Sequence, residues 1–137
     1  MATKPRVHEF DVTVDAARVA HSSLGGSPFP REAAWWAEHL VLAGLVRCIL
    51  ASMDYAARRS GSNSVGSGRA HGTVTRREDG SHGFVEIEAT LEVELAPAPT
   101  PEDLQHLVAK AEVGCFVGNS LKPKPQYRWI VNGQPVD

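Results

Sequence analysis

The sequence predicts an α+β domain in which two helices are covered by antiparallel sheet. Residues 84–95 alternate between apolar and polar side chains, a period of two that indicates a half-buried strand. Residues 31–58 carry apolar side chains on nearly every side, which is typical of a helix buried in the middle of a fold. The chain has 137 residues, which favours a single domain spanning 1–137.

The remaining strands follow from shorter patterns. A strand is expected over residues 8–15, because Phe10, Val12 and Val14 alternate with polar side chains. A turn at 15–17, a strand at 18–23, a strand at 70–77, a hairpin turn at 78–81 and a last strand at 127–131 complete the set. The Gly- and Ser-rich segment 60–68 predicts a flexible loop.

The second helix has a clear start. Thr100 is a candidate N-cap and Pro101 suits the first helical position. Apolar residues at helical spacing follow, and we expect Cys115 to continue the same helical face. The four glutamates that alternate along 84–95 predict a solvated sheet face rather than a metal site.

Composition excludes several classes of function. The formal net charge of −2 gives no electrostatic reason to expect nucleic acid or an anionic membrane as a partner. The longest apolar run, residues 40–46, is short for a membrane span, and the N-terminus shows no secretory signal pattern. We therefore expect a cytoplasmic protein with reduced thiols. The six histidines show no metal-ligand spacing, so no metal or other cofactor is expected.

The two cysteines are the main candidates for chemistry. Cys48 and Cys115 lie in apolar surroundings, where a thiol most often only fills space. Glu38, an acid in an almost uncharged stretch, precedes Cys48 by ten residues. Ten helical steps span about 15 Å, so an arginine would have to bridge the carboxylate and a thiolate. Arg18 and Arg31 are the candidates.

Two segments carry a resemblance to a known family. Residues 38–48 (EHLVLAGLVRC) and 111–121 (AEVGCFVGNSL) resemble the two cysteine signatures of the osmotically inducible protein C and organic hydroperoxide resistance proteins, here called the OsmC-like family. The element order agrees as well, so the resemblance covers essentially the whole chain. It departs from the family pattern at Trp36-Ala37, where members usually carry Asn/Thr-Pro.

The resemblance implies a thiol-dependent peroxidase that acts in the oxidative stress response. Cys48 would attack an organic hydroperoxide and become a sulfenic acid, and Cys115 would condense with it to a disulfide that an external dithiol reduces. Glu38 and Arg18 would complete the site, with Arg18 favoured over Arg31. The implied fold is an intertwined homodimer with two central helices per subunit wrapped by sheets.

Two alternatives to the peroxidase stay open at this point. A non-catalytic dimer of the same fold could bind a small hydrophobic ligand, and a hot-dog thioesterase-like module also wraps sheet around a long helix. Trp35 and Trp36 suit core or dimer packing, or an apolar rim for a bulky peroxide.

Overall fold

The computed structural model describes residues 4–137, which form two compact units, 4–37 and 38–137. Residues 1–3 lie outside the described residues. They belong to the predicted domain 1–137 and to the N-terminal segment in which no secretory signal pattern was found. The single-domain organisation stays a prediction. The elements are β1 (Val12–Val14), β2 (Ala20–Ser22), α1 (Ala37–Arg59), β3 (Asn63–Arg76), β4 (His82–Ala96), α2 (Pro101–Val113), α3 (Phe116–Ser120), β5 (Gln126–Val131) and β6 (Gln134–Pro135).

The N-terminal unit contains a small antiparallel hairpin of β1 and β2. The Asp15 carboxylate orders its turn by accepting hydrogen bonds from the backbone N–H groups of Ala17 and Val19, each at 3.0 Å. The hydrogen bond from Val19, followed by that from His21, lowers the pKa of Asp15. Arg18 completes the turn with a φ of 68°, in the left-handed region. Both strands are shorter than predicted, but the turn lies where the sequence placed it.

The C-terminal unit is built on a four-stranded sheet in the order β3-β4-β5-β6. The predicted alternation along β4 is confirmed, because its inward side chains form the centre of the core while the glutamates face outward. The buried hydrophobic residues of the unit are Leu45, Ile49, Met53, Ala56, Ala57, Ile87, Ala89, Leu91, Val93, Leu95, Leu107, Ala111, Cys115, Trp129 and Val131. Together with the three helices this confirms the predicted α+β class.

The sheet is mixed rather than purely antiparallel. β3 and β4 pair antiparallel, whereas β4 and β5 pair parallel, with Ala89 opposite Tyr127 and Leu91 opposite Trp129. The chain leaves the end of β4, passes through α2 and α3, and returns to the start of β5. Two neighbouring strands joined by such a long helical crossover run in the same direction.

Segment 60–68 is not a loop, which corrects the sequence prediction. β3 begins at Asn63, and Gly66 and Gly68 lie on the sheet face that α1 covers. A Cβ at Gly66 would lie 3.0 Å from Leu50 Cδ2, and one at Gly68 would lie 3.1 Å from Val46 Cγ1. The glycines therefore let the helix pack closely on the strand, and they are not there for flexibility.

Helix α1 begins at Ala37 instead of residue 31 and is buried on one face only. Its inward residues Leu45, Ile49 and Met53 have no exposed surface. Leu40 and Val41 on the other side are 42% and 36% exposed. The expectation of burial on nearly every side is therefore wrong for the single chain. By length and composition α1 could also span a membrane, a property that it shares with the core helices of soluble proteins.

Helix α2 begins as predicted but ends before the second cysteine. The Thr100 hydroxyl oxygen accepts a hydrogen bond from the Asp103 N–H at 3.2 Å, as an N-cap does. The helix stops at Gly114, and Cys115 is the N-cap of the short helix α3. The expectation that Cys115 continues the face of α2 is therefore wrong. The thiol lies at a bend between two helices.

Candidate active site

Cys48 lies on the side of α1 that faces the α2–α3 bend. Leu45, one turn before it, would lie 3.5 Å from a Cβ at Gly118 of α3. Ser52, one turn after it, donates a hydrogen bond from its hydroxyl to the Ala111 carbonyl at 2.7 Å. Residues three or four apart share a helix face, so Cys48 points toward the bend that holds Cys115.

The two cysteines differ in exposure. Cys48 is half-buried, whereas Cys115 has no exposed surface, and both are free thiols. Burial raises the pKa of the Cys115 thiol, and the neighbouring Cys48 raises it further. Hydrogen bonds from the Gly118 N–H and from Tyr127 act in the opposite direction. At neutral pH Cys115 is therefore a protonated thiol, and Cys48 is the more accessible sulfur.

Tyr127, Glu112 and Trp129 complete the surroundings of Cys115, and the sequence did not single them out. Tyr127 and Trp129 alternate with outward residues on β5, so both face the core. The indole N–H of Trp129 donates to Glu112 Oε2 at 3.0 Å. Burial, followed by the neighbouring Cys115 and Glu112, raises the pKa of Tyr127 well above its usual range.

The sequence does contain a pattern from which Tyr127, Trp129 and Glu112 could have been found. Tyr127 and Trp129 stand two apart in a predicted strand whose next inward residue is Val131. A buried tyrosine or tryptophan needs a partner for its polar atom. Glu112 stands three residues before Cys115 in an otherwise apolar run. Together they indicate a polar cluster beside the second thiol.

Three further residues were predicted for the site, namely Glu38, Arg18 and Arg31. Glu38 stands in the first turn of α1 and is half-buried, at a place where a carboxylate complements the helix dipole. Arg18 and Arg31 are exposed residues of the N-terminal unit. The roles of these three residues stay predictions. Within residues 4–137, no group of three or more His, Cys, Asp or Glu side chains could hold a metal ion.

The fold and the site define a class of protein. It is an α+β protein in which the long helix α1 packs on a sheet and carries a half-buried thiol next to a second, fully buried thiol.

The chain belongs to the family of OsmC-like proteins, because the family model matches residues 31–129. This confirms the resemblance stated on the two cysteine segments. No curated protein sequence matches the chain.

Solved structures share the fold at low sequence identity. An OsmC-like protein of unknown function from Vibrio cholerae O1 biovar eltor str. N16961 is 15% identical with a TM-score of 0.74, covering 90% of this chain and 100% of its own. An organic hydroperoxide resistance protein from Elizabethkingia anophelis is 19% identical with a TM-score of 0.69, covering 93% and 98%. An organic hydroperoxide resistance protein of Bacillus subtilis is 18% identical with a TM-score of 0.56, covering 90% and 96%. The chain thus shares its fold with proteins that are named organic hydroperoxide resistance proteins.

Proposed function

We propose that this protein is a thiol-dependent peroxidase that reduces organic hydroperoxides. The observation that carries the proposal is the pairing of a half-exposed Cys48 with a fully buried Cys115 at the α2–α3 bend. An accessible sulfur can meet a peroxide, and a protected thiol beside it can form a disulfide in the next step. Structural neighbours that are named organic hydroperoxide resistance proteins support the substrate class.

The chemistry balances in three steps. The Cys48 thiolate attacks one oxygen of the hydroperoxide, the O–O bond breaks, and the alkoxide leaves and takes a proton to become an alcohol. Cys48 is then a sulfenic acid. The Cys115 sulfur displaces the hydroxyl group, its proton leaves with that group as water, and a Cys48–Cys115 disulfide forms. An external dithiol reduces this disulfide and is itself oxidised to a disulfide.

The first step requires a group that stabilises the Cys48 thiolate. In the proposal this group is the guanidinium of Arg18, with Arg31 as the alternative, and Glu38 holds the guanidinium from the other side. The protein works as a homodimer, since α1 exposes the apolar residues Leu40 and Val41 on its outward side.

A thiol count tests the proposal. Free thiols are measured before and after one equivalent of cumene hydroperoxide, in the wild type and in the variants C48S and C115S. We expect rapid loss of both thiols in the wild type and no loss in C48S. C115S should lose its thiol and gain a sulfenic acid that dimedone captures.

One result of the thiol count would contradict the proposed peroxidase. Thiols of the wild type that survive an excess of hydroperoxide would exclude the peroxidase and favour the non-catalytic dimer that binds a small hydrophobic ligand. The variants R18A and R31A are measured beside the wild type, and the arginine that activates Cys48 is the one whose removal slows thiol loss.

A further inference from the structure

One backbone donor contacts the buried Cys115 sulfur, and a side-chain donor lies beside it. The Gly118 N–H donates to Cys115 Sγ at 3.4 Å. The side-chain donor is the hydroxyl of Tyr127 on β5, and its hydrogen bond lowers the pKa of Cys115. A Cβ at Gly118 would overlap the Tyr127 hydroxyl oxygen and would lie 3.2 Å from Cys115 Sγ. The hydroxyl and the sulfur are therefore neighbours above the same glycine.

The Tyr127 hydroxyl is suited to act as a donor. Tyr127 is opposite the buried Ala89 in the sheet, so its ring faces inward, and the side chain is half-buried. Burial, followed by the neighbouring Cys115 and Glu112, raises the pKa of Tyr127 and so disfavours a phenolate. Trp129 holds the Glu112 carboxylate at 3.0 Å. The hydroxyl therefore keeps its proton over the whole ordinary pH range.

Exposure decides which sulfur of a Cys48–Cys115 disulfide a reductant reaches. Cys115 has no exposed surface, whereas Cys48 is half-buried. An external thiolate therefore attacks the Cys48 sulfur, and Cys115 becomes the leaving group. The rate of such an exchange rises as the leaving thiolate becomes more stable.

We propose that Tyr127, together with the Gly118 N–H, stabilises the Cys115 thiolate that leaves when a reductant attacks the Cys48 sulfur of the disulfide. Tyr127 would thus set the rate of the reductive half of the cycle and leave the attack on peroxide unchanged. This inference rests on the disulfide cycle of the proposed function.

The step is a balanced thiol–disulfide exchange. One thiolate of an external dithiol forms a bond to Cys48 Sγ, the Cys48–Cys115 bond breaks, and its electron pair stays on Cys115 Sγ. Cys115 then takes a proton from water. The second thiol of the reductant displaces Cys48 as a thiolate, so the reductant leaves as a disulfide and both protein thiols are restored.

The experiment forms the disulfide without peroxide, so that it does not depend on peroxidase activity. The wild type, Y127F and the control S67A are oxidised with diamide, and the rate of disulfide reduction by dithiothreitol is measured. Ser67 carries an exposed hydroxyl on the face of β3 opposite α1. We expect Y127F to be reduced roughly tenfold more slowly, the effect of one lost hydrogen bond to a charged acceptor, and S67A to behave as the wild type.

A titration separates this role from a merely structural one. In the C48S background, the ultraviolet absorbance of the Cys115 thiolate is followed against pH with and without Y127F. Loss of a donor to the thiolate raises the titration midpoint of Cys115. A third measurement reacts the oxidised wild type with a monothiol and locates the mixed disulfide by peptide mass spectrometry, with the adduct expected on Cys48.

Any one of four results would overturn the inference. They are an unchanged rate of disulfide reduction in Y127F, an unchanged titration midpoint of Cys115, a mixed disulfide on Cys115, and failure of diamide to join the two sulfurs. The proposed function fails separately, when the thiols of the wild type survive peroxide.

Discussion

At the scale of single residues, Gly118 decides how closely β5 and the α2–α3 bend approach each other. Its neighbours are the hydroxyl oxygen of Tyr127, the sulfur of Cys115 and a methyl group of Leu45. Glycine is required here because of the close approach, and its backbone conformation is an ordinary helical one. A methyl group at this position would meet the hydroxyl first.

Gly118→Ala should therefore lower the free energy of unfolding by about 1–3 kcal/mol, the usual cost of an overpacked core position. Adding Y127F to that variant should restore part of the loss, since it removes the oxygen atom in the closest contact. Urea denaturation of the wild type, both single variants and the double variant measures the coupling. Fully additive effects would contradict the contact.

Residue patterns in the sequence could single out Cys48 and Cys115 as the candidate reactive residues. The difference in their exposure to solvent could not be predicted. Both thiols lie in apolar segments, so the sequence favoured burial for each. Cys48 is half-buried because it lies between the face of α1 that packs on the fold and the outward face. Cys115 is buried because the chain bends there. Tyr127 was missed because its partner, Cys115, is on a different element, and pairing across elements is not visible in local spacing.

At the scale of elements, β4 and the start of α2 were predicted well because each is fixed by local physics. Strict alternation specifies a half-buried strand, and a capping threonine followed by proline specifies a helix start. β3 was truncated in the prediction because glycine and serine are also the residues of loops. Their meaning at Gly66 and Gly68 is set by α1, which packs over them from a distant part of the sequence.

Gly68→Ala tests whether the glycines of β3 are needed for the close packing of α1 on this strand. The new methyl group would lie 2.7 Å from Leu91 Cδ1 and 3.0 Å from the Thr90 carbonyl oxygen, a backbone atom that cannot easily move. It would also lie 3.1 Å from Val46 Cγ1 of α1. We expect a loss of about 1–3 kcal/mol in the free energy of unfolding. Ser67→Ala is the matched control, because Ser67 is exposed on the opposite face of the same strand. It should change stability by less than about 0.5 kcal/mol, and equal losses in the two variants would contradict the packing of α1 on β3.

At the scale of the whole molecule, the outward face of α1 is the feature that the single chain leaves unexplained. The sequence predicted a helix buried on nearly every side, yet Leu40, Val41 and Tyr55 are 42%, 36% and 58% exposed. Gly44 and Ala51 lie on the same side, and a Cβ at Gly44 would meet nothing within 4 Å. Small residues two turns apart let another helix approach closely. The apolar surface could be predicted from the sequence. What covers it could not, because in the proposed homodimer it is covered by the second subunit.

Ala51→Glu tests that homodimer. On a solvated helix face this change costs only a few tenths of a kcal/mol, because both residues are good helix formers. In an interface between two α1 helices it would force a long carboxylate side chain into the place where a small residue lets the helices approach, which is strongly destabilising. Sedimentation equilibrium should therefore give a dimer for the wild type and a monomer for A51E.

Ala109→Glu is the matched control, since Ala109 is an exposed alanine of α2, and it should leave the mass of the assembly unchanged. Because Cys48 lies at the edge of the same face of α1, dissociation in A51E should also slow the loss of thiols in cumene hydroperoxide. A wild type that sediments as a monomer, or an A51E variant that stays dimeric, would show that this face of α1 is not the subunit interface.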